Sequence, residues 1–237
     1  MPLSIAETIA IIPAAGSGVR MGGVPKALLK IGQLTVIELS LRSIIQSEVV
    51  SEVLICVREQ DRLAFESLDL QSRYPGCPVT LVAGGEVRQA SVFNGLEYIR
   101  KQHQVTSELC VLVHDAARCL VSSALVRRCV EGAQKWGAVT AAVPLTDSIK
   151  RAGTDMQVLE SLERENIWCV QTPQVFGFDL LYAAHTQKQT ATRSSAATDD
   201  ASLVEMLHSV KIVEGEKSNF KITTPEDLQL ARCLLQH

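Results

Sequence analysis

The sequence predicts a doubly wound α/β fold, in which a mainly parallel sheet carries helices on both faces. Short apolar runs rich in β-branched residues recur along the chain, helical stripes lie between them, and glycine-rich or charged loops follow several runs. Continuous apolar runs of this length are typical of strands buried on both faces. Strands that alternate with helices favour a parallel sheet, and ligands of such sheets bind beyond the carboxyl ends of the strands.

The predicted strands are the apolar runs 8–12, 53–57, 79–82, 109–113 and 138–143. The first helical stripe runs from Ile37 to Ile45 and follows a capping box formed by Thr35 and Glu38. Two further stripes consist of Val92, Leu96 and Ile99, and of Leu125, Val126, Cys129 and Val130.

One region breaks the alternation. Residues 148–162 form two extended segments around the turn-like triplet Gly153-Thr154-Asp155. An isolated two-stranded hairpin is marginally stable in water. We therefore expect this hairpin arm, at about 146–167, to pack against a second subunit or against its own domain.

The C-terminal part returns to α/β patterning. Thr198-Asp199-Asp200 predicts the cap of a helix that runs to about Leu207, and residues 210–213 predict a short strand. Thr224-Pro225-Glu226 predicts the start of a last helix, and the polar stretch 187–197 predicts a loop. The sequence contains no internal repeat or linker, so residues 1–237 are expected to form a single domain.

Composition limits the functional classes. The 237 residues are 46% hydrophobic and carry a net charge of −3, which argues against a nucleic-acid surface. No apolar run approaches the ~18 residues that span a bilayer. The first strand starts near Thr8, so we expect neither a signal peptide nor a membrane partner, and a cytoplasmic location. The seven cysteines include no C-x-x-C pair and predict neither a disulfide frame nor a zinc site.

The segment 11–26 points to phosphate binding. An apolar run leads into Gly16, Gly18 and Gly22, and Arg20 and Lys26 provide two cations. Backbone N–H groups of such a loop can face an anion, and the cations can hold the rest of a polyphosphate. The spacing G-x-G-x-x-x-G fits neither a P-loop nor the dinucleotide fingerprint, which disfavours a dehydrogenase. The alternative is a plain turn between a strand and a helix.

A second polar segment, His114 to Arg118, follows the fourth predicted strand. Asp115 is placed to hold Mg²⁺, which prefers oxygen ligands and substrate phosphates, or else to cap a turn. His114 is expected to be a packed residue rather than a base. Arg118 is expected to bind an anionic second substrate or to pair with Asp115.

Motifs in a fixed order give the chain a family resemblance. They are Pro13-Ala14-Ala15-Gly16-x-Gly-x-Arg20-Met21, Pro25-Lys26, Gly84-Gly85-x-x-Arg88-x-x-Ser91-Val92, His114-Asp115-Ala116-Ala117-Arg118, Thr172-Pro173-Gln174, Thr198-Asp199-Asp200-Ala201 and Lys221-Ile222-Thr223-x-Pro225-Glu226-Asp227. Together they resemble the 2-C-methyl-D-erythritol 4-phosphate cytidylyltransferase family over nearly the whole chain. The resemblance implies a Rossmann-like nucleotidyltransferase fold and transfer of CMP from CTP to 2-C-methyl-D-erythritol 4-phosphate with release of pyrophosphate. It also implies Mg²⁺ or another divalent cation as cofactor.

The resemblance also implies roles for individual residues. Arg20 and Lys26 resemble the triphosphate clamp and Asp115 the metal ligand. The implied nucleotide contacts are Pro13, Ala14, Ala15, Gly16, Gly85, Arg88, Ser91 and Ala116. The implied contacts to the acceptor phosphate or the transition state are Arg164, Thr172 and Lys221, with Arg118 nearby and Ser148 on the arm. The family is a homodimer in which the arm reaches the neighbouring site, so Arg164 is expected to act in trans.

Two departures from the family pattern stand out. Cys119 occupies a position that is usually proline, which predicts a looser loop, and Ser148 replaces a threonine on the arm while keeping the hydroxyl.

Two alternative functions stay open at this point. A ribitol 5-phosphate cytidylyltransferase would share the fold and the CTP site, and a regulatory nucleotide-binding module would bind without turnover.

Overall fold

A seven-stranded sheet lies at the centre of the computed structural model, which describes residues 7–16, 25–190 and 198–235. The strands of this sheet are β1 (Thr8–Pro13), β4 (Glu52–Val57), β5 (Val79–Ala83), β6 (Cys110–Val113), β7 (Ala138–Pro144), β10 (Trp168–Gly177) and β11 (Lys211–Glu214). Their order across the sheet is β11-β7-β10-β6-β1-β4-β5. Two ribbons lie apart from it: β2 (Lys30–Ile31) with β3 (Leu34–Thr35), and β8 (Ile149–Ala152) with β9 (Val158–Leu162).

Helices connect the strands. They are α1 (Val36–Ile45), α2 (Arg62–Glu66), α3 (Leu70–Arg73), α4 (Arg88–Gln102), α5 (Ser123–Trp136), α6 (Phe178–Thr190), α7 (Asp200–Val204) and α8 (Pro225–Leu235). The capping box predicted for α1 is present: the N–H of Thr35 donates to Glu38 Oε2 at 2.7 Å, and the N–H of Glu38 donates to Thr35 Oγ1 at 3.4 Å. Helix α5 ends at Gly137, whose φ of 80° suits glycine.

The doubly wound prediction is confirmed. Strands β6, β1, β4 and β5 are parallel neighbours, and β11 is parallel to β7. Helices α1 and α5 pack on one apolar core, and α4, α6 and α7 pack on a second core on the opposite face. A small third cluster joins α8 to the β2–β3 ribbon, and Cys119 lies buried inside it. The expected looser loop at Cys119 is therefore packed against apolar neighbours.

Strand β10 was not among the predicted strands. It enters the centre of the sheet between β6 and β7 and is antiparallel to both. The register shifts between Val170 and Gln174, and the residues in between include Gln171, Thr172 and Pro173. The sequence of this strand lacks a continuous apolar run, because three of its buried residues are polar: Gln171, Thr172 and Gln174.

Several predicted boundaries in the C-terminal part were wrong. Helix α7 ends at Val204 rather than near Leu207, and Asp199 is its cap, since it accepts from the N–H of Ser202 at 3.0 Å. Helix α6 extends to Thr190, so the first part of the predicted loop 187–197 is helical, and residues 191–197 lie outside the described residues. Lys221 lies in a segment without regular secondary structure.

The predicted hairpin is present as a separate two-stranded ribbon. Strands β8 and β9 pair only with each other among the described strands, in the register Ile149 to Leu162. Met156, Val158 and Leu159 are exposed apolar residues near its tip. In the described part of the chain, no helix combines the length and apolar character needed to cross a bilayer.

Candidate active site

A cleft of about 930 Å³ opens beyond the carboxyl ends of β1, β4, β5 and β6. Eleven of the sequence-predicted site residues line it: Pro13, Ala14, Ala15, Gly16, Lys26, Gly85, Arg88, Ser91, Asp115, Ala116 and Lys221. The remaining lining residues are Ala27, Arg58, Glu59, Gln60, Gly84, Glu86, Val87 and Ala117. The sheet topology thus collects segments that are far apart in sequence at one edge, as parallel sheets do.

Backbone hydrogen bonds fix the loops that follow β1 and β5. The N–H of Ala14 donates to the carbonyl of Cys56 at 2.8 Å, and the N–H of Gly84 donates to the carbonyl of Val57 at 2.7 Å. The N–H of Gly85 donates to Ser91 Oγ at 3.0 Å, which ties the loop to the first turn of α4. These bonds hold the two loops side by side on the cleft wall.

Gly84 is required by close packing rather than by torsion angles. A Cβ atom at this position would lie 2.6 Å from the Cβ of Ala15 and 3.1 Å from the carbonyl oxygen of Val57. A Cβ at Gly85 would clash with Ala90. Any larger side chain would push the β1 loop and the β5 loop apart.

Lys26 lies on the wall of the cleft that the C-terminal segment also forms. Its Nζ donates to the carbonyls of Ile222 and Thr223, at 3.3 Å each. Lys221, which also lines the cleft, directly precedes these two residues. Two cations from opposite ends of the chain therefore share one part of the cleft.

Asp115 sits between two cations. Arg88 Nε donates to Asp115 Oδ1 and Lys221 Nζ donates to Asp115 Oδ2, both at 2.8 Å. Burial favours the neutral acid and would raise the pKa of Asp115, but the nearby charges of Arg88 and Lys221 outweigh burial and hold the pKa well below its usual range. The carboxylate is therefore ionised at neutral pH.

Behind Asp115, a chain of hydrogen-bonded side chains leads away from the cleft, through Arg88 to the buried residues Asp200 and His185. Arg88 Nη1 donates to Asp200 Oδ2 at 2.6 Å, and His185 Nε2 lies 2.9 Å from Asp200 Oδ1. Burial lowers the pKa of Arg88, but the charges of Asp200 and Asp115 raise it more. Burial would raise the pKa of Asp200, and the bonds from His185 and Arg88 lower it overall.

His114 and Thr172 form a buried pair beneath the loop that carries Asp115. His114 Nε2 lies 3.1 Å from the carbonyl oxygen of Arg118, and His114 Nδ1 lies 3.1 Å from Thr172 Oγ1. A carbonyl can only accept, so Nε2 carries the proton, and the Thr172 hydroxyl donates to Nδ1. Burial lowers the pKa of His114 to about 4, which keeps the ring neutral and agrees with its expected packing role.

Four sequence-predicted contacts lie off the described cleft lining. The hydroxyl of Thr172 is buried in the pair just described. Arg118 does not pair with Asp115 through its side chain, since its guanidinium donates to the carbonyls of Asn219, at 2.8 Å, and Val170, at 3.3 Å. Ser148 and Arg164 are exposed on the arm, where Arg164 donates to the carbonyl of Thr146 at the arm's base.

Two groups were not among the predicted site residues: the segment 58–60, which lines the cleft, and the buried pair His185 and Asp200. Arg58 directly follows β4, so the predicted sheet could have placed it at the carboxyl edge where the cleft lies. Asp200 was predicted as part of a helix cap and of a family motif, and no local pattern reveals its ionic partners. Arg20, the other half of the expected clamp, lies outside the described residues.

Asp115 fits the divalent cation that the resemblance implies. Within residues 7–16, 25–190 and 198–235 there is no cluster of three or more His, Cys, Asp or Glu side chains that could hold a metal alone. Mg²⁺ often needs only one or two carboxylates together with substrate phosphates. A carboxylate offers about four acceptor positions, of which Arg88 and Lys221 each occupy one.

Comparisons with known proteins agree with this geometry. The family model of IspD, 2-C-methyl-D-erythritol 4-phosphate cytidylyltransferase, matches residues 8–237. A curated relative with this name from Pelotomaculum thermopropionicum is 40% identical over 232 residues, which cover 97% of this chain and 94% of the relative. A second, from Thermosynechococcus vestitus, is 39% identical over 231 residues, which cover 96% and 94%.

Solved structures show the same likeness. The crystal structure of 4-diphosphocytidyl-2C-methyl-D-erythritol synthase from Anaerococcus prevotii has a TM-score of 0.83 and 31% identity, over 99% of this chain and 100% of that one. The crystal structure of 2-C-methyl-D-erythritol 4-phosphate cytidylyltransferase from Thermus thermophilus has a TM-score of 0.76 and 34% identity, over 98% and 100%.

Proposed function

Since the chain belongs to the IspD family of 2-C-methyl-D-erythritol 4-phosphate cytidylyltransferases, we propose that it transfers CMP from CTP to 2-C-methyl-D-erythritol 4-phosphate. The products are 4-diphosphocytidyl-2-C-methyl-D-erythritol and pyrophosphate, and the reaction is a step in non-mevalonate isoprenoid precursor synthesis. One observation of this chain carries the proposal: Lys26, Asp115 and Lys221 meet in the cleft that the glycine-containing loops also line.

The reaction requires little acid–base chemistry. A phosphate oxygen of the acceptor attacks the α-phosphorus of CTP. The bond from that phosphorus to the oxygen shared with the β-phosphate breaks, and its electron pair leaves with pyrophosphate. The acceptor phosphate is already a nucleophile, so no strong base is needed, in keeping with a buried, neutral His114 that does not line the cleft.

The main obstacle is the meeting of two anions. Positioning and fixed positive charge are the principal tools for phosphoryl-type transfer. Arg20 and Lys26 would hold the triphosphate, and Lys26 would neutralise charge at the pentacoordinate centre. Lys221, which is close to Lys26 on the cleft wall, would receive the acceptor phosphate.

Asp115 would hold the divalent cation, and a bound cation would neutralise triphosphate charge. The nucleotide itself would lie against the cleft-lining residues Pro13, Ala14, Ala15 and Gly16 of the β1 loop, and against Gly85, Arg88, Ser91 and Ala116. Small residues there let the ligand approach the backbone closely.

The arm is proposed to complete a neighbouring site in a homodimer. Its strands pair with no other strand among the described residues, and apolar side chains are exposed near its tip. Arg164 and Ser148 would then reach the acceptor bound by the partner subunit. Thr172 and Arg118 would support the acceptor site of their own subunit. The cytoplasmic location expected from the sequence remains a prediction.

A pyrophosphate-release assay with Mg²⁺ and CTP tests the activity. We expect turnover with 2-C-methyl-D-erythritol 4-phosphate and at least tenfold lower kcat/KM with ribitol 5-phosphate, since a mismatched hydroxyl leaves polar groups unpaired. Equal or reversed preference would favour the ribitol enzyme. Binding of CTP without pyrophosphate release would favour the regulatory module, and replacing CTP by UTP measures the base preference.

A further inference from the structure

Two buried residues, Asp200 and His185, connect to the cleft without lining it. Asp200 is 0% and His185 3% exposed, and neither borders the cleft. Their hydrogen bonds run in sequence from His185 to Asp200, from Asp200 to Arg88, and from Arg88 to Asp115. The chain of bonds therefore ends on the carboxylate that the cleft exposes to its ligands.

Stability alone does not account for this chain. Taking charges out of water is costly, and buried ion networks can often be replaced by apolar residues of similar volume without loss of stability. A buried carboxylate that contacts a histidine on one side and an arginine on the other instead fixes the direction of both partners. Arg88 is the partner that reaches the cleft.

The guanidinium of Arg88 is held in an incomplete arrangement. Its Nε donates to Asp115 and its Nη1 to Asp200, while Nη2 is buried and has no hydrogen-bond partner in the described part of the chain. Nη2 shares the edge of the guanidinium that carries Nε. Arginine commonly grips a carboxylate with both nitrogens of that edge, and such a grip on Asp115 would satisfy Nη2. To form this grip the guanidinium of Arg88 would have to rotate, and the hydrogen bond from Nη1 to Asp200 opposes that rotation.

We propose that Asp200 and His185 are positioning residues for the transferase: they restrain Arg88 so that it takes one oxygen of Asp115 and leaves the other, now bonded to Lys221, for exchange with a cation. His185 acts through Asp200, and Asp200 acts through Arg88. The inference rests on the proposed function, because it gives the carboxylate of Asp115 a cation to bind. It assigns a role to two residues outside the cleft.

The isosteric variant Asp200→Asn tests the restraint. Binding of Mn²⁺ in the presence of CTP, without acceptor and hence without turnover, is measured by titration calorimetry or electron paramagnetic resonance. We expect the Mn²⁺ concentration at half-saturation to rise about tenfold or more, as for other residues that orient a metal ligand. In turnover assays the Mg²⁺ requirement should rise in parallel, with kcat largely recovered at saturating Mg²⁺.

A double-mutant cycle identifies Arg88 as the intermediary. Lysine at position 88 cannot form a two-nitrogen grip, so adding Asp200→Asn to Arg88→Lys should weaken Mn²⁺ binding much less than it does beside arginine. An equal loss in both backgrounds would overturn the proposal, and so would an unchanged Mn²⁺ midpoint in Asp200→Asn.

Variants of His185 provide a second line if Asp200→Asn does not fold. His185→Gln keeps a donor for Asp200 and should retain most Mn²⁺ affinity, whereas His185→Ala should lose part of it; identical affinities in both variants would contradict the proposal. His103 bonds Glu52 at 3.0 Å at the opposite end of the sheet and supplies the matched control. His103→Ala should leave Mn²⁺ binding unchanged, and a shift as large as that of His185→Ala would also overturn the idea.

Failure of this inference is separable from failure of the proposed function. A wild-type protein that binds neither CTP nor Mn²⁺ contradicts the function itself. A wild-type protein that binds both, together with variants that bind equally well, contradicts only the positioning role.

Discussion

The backbone N–H of Asp115 donates a 3.0 Å hydrogen bond to the hydroxyl of Thr172. Because the same hydroxyl donates to His114 Nδ1, it both accepts and donates within the protein. Strand β10 thereby fixes the loop that carries the central carboxylate of the cleft. The antiparallel strand at the middle of the sheet is a support for the site as well as part of the core.

Replacing Thr172 by valine separates this support from substrate binding. Thr172→Val keeps the shape and leaves the Asp115 N–H and His114 Nδ1 without their partner, so the free energy of unfolding should fall by roughly 1–3 kcal/mol. Thr172→Ser should retain most of it. Denaturant unfolding measures the effect; a higher KM for the acceptor with unchanged stability would indicate substrate contact alone.

Acid should destabilise the protein through His114. In the unfolded chain the ring binds a proton near pH 6.5, whereas burial lowers its pKa in the folded protein to about 4. The unfolded state therefore holds more protons between these values, and stability falls as pH drops through this window. The separation corresponds to roughly 3 kcal/mol.

The variant His114→Gln should lose most of this pH dependence. Chemical denaturation between about pH 7.5 and pH 4.5 isolates the histidine, since the carboxylates with lowered pKa values give up their contribution mainly below their usual range near 4. Equal slopes in the wild type and the variant would show that His114 is not the cause.

Removing the charge of Lys26 should impair chemistry. Lys26→Ala is expected to lower kcat roughly 10²–10³-fold at saturating CTP, by analogy with loss of a donor that stabilises transition-state charge. The rate of pyrophosphate release at saturating CTP measures this loss. Near-normal turnover would remove Lys26 from the proposed mechanism.

A methyl group at Gly84 should disturb the nucleotide loops. Since its Cβ would lie 2.6 Å from that of Ala15, Gly84→Ala is expected to lower kcat/KM for CTP by roughly tenfold to 100-fold, as displacements of about 1 Å do. Gly76→Ala, where the added Cβ meets nothing within 4 Å, is the matched control. Comparable loss in both variants would point to a general effect of the added methyl group.

Mixed dimers test whether Arg164 acts across subunits. Lys26→Ala and Arg164→Ala should each be nearly inactive alone. Random exchange between them should restore about a quarter of the sites, because half the dimers are mixed and each mixed dimer has one intact site. Absence of restored activity after confirmed subunit exchange would place Arg164 in the site of its own chain.

The parallel strands of the sheet could be predicted from the sequence alone. Strands β1, β4, β5, β6 and β7 are apolar on both faces, so their runs appear without knowledge of their partners. Strand β10 was missed because its buried polar side chains find partners only in the folded protein: Gln174 Nε2 donates to Thr140 Oγ1 at 3.0 Å and to Asp199 Oδ2 at 2.7 Å. No local sequence pattern predicts these hydrogen-bond partners.

The site divides in the same way. Loops that follow strands could be assigned to one edge, which is why the Gly16 and Gly85 loops and Asp115 were found together. Arg88 was named, but its bond to Asp200 depends on helix α7 packing beside α4, which periodicity does not reveal. In the proposed homodimer, the position of Arg164 relative to the acceptor would depend on the partner chain, and one sequence does not show how two chains pack.

The position of β10 in the sequence sets the order in which the two parts of the sheet are synthesised. Strands β1, β4, β5 and β6 are complete by Val113 and pair only among themselves until β10 joins β6 to β7. Proteins are made from the N-terminus and can fold in that direction. The loops proposed for the nucleotide emerge with this first group, while the arm and Lys221 follow. Translation therefore delivers the loops proposed for the nucleotide before the segments proposed for the acceptor.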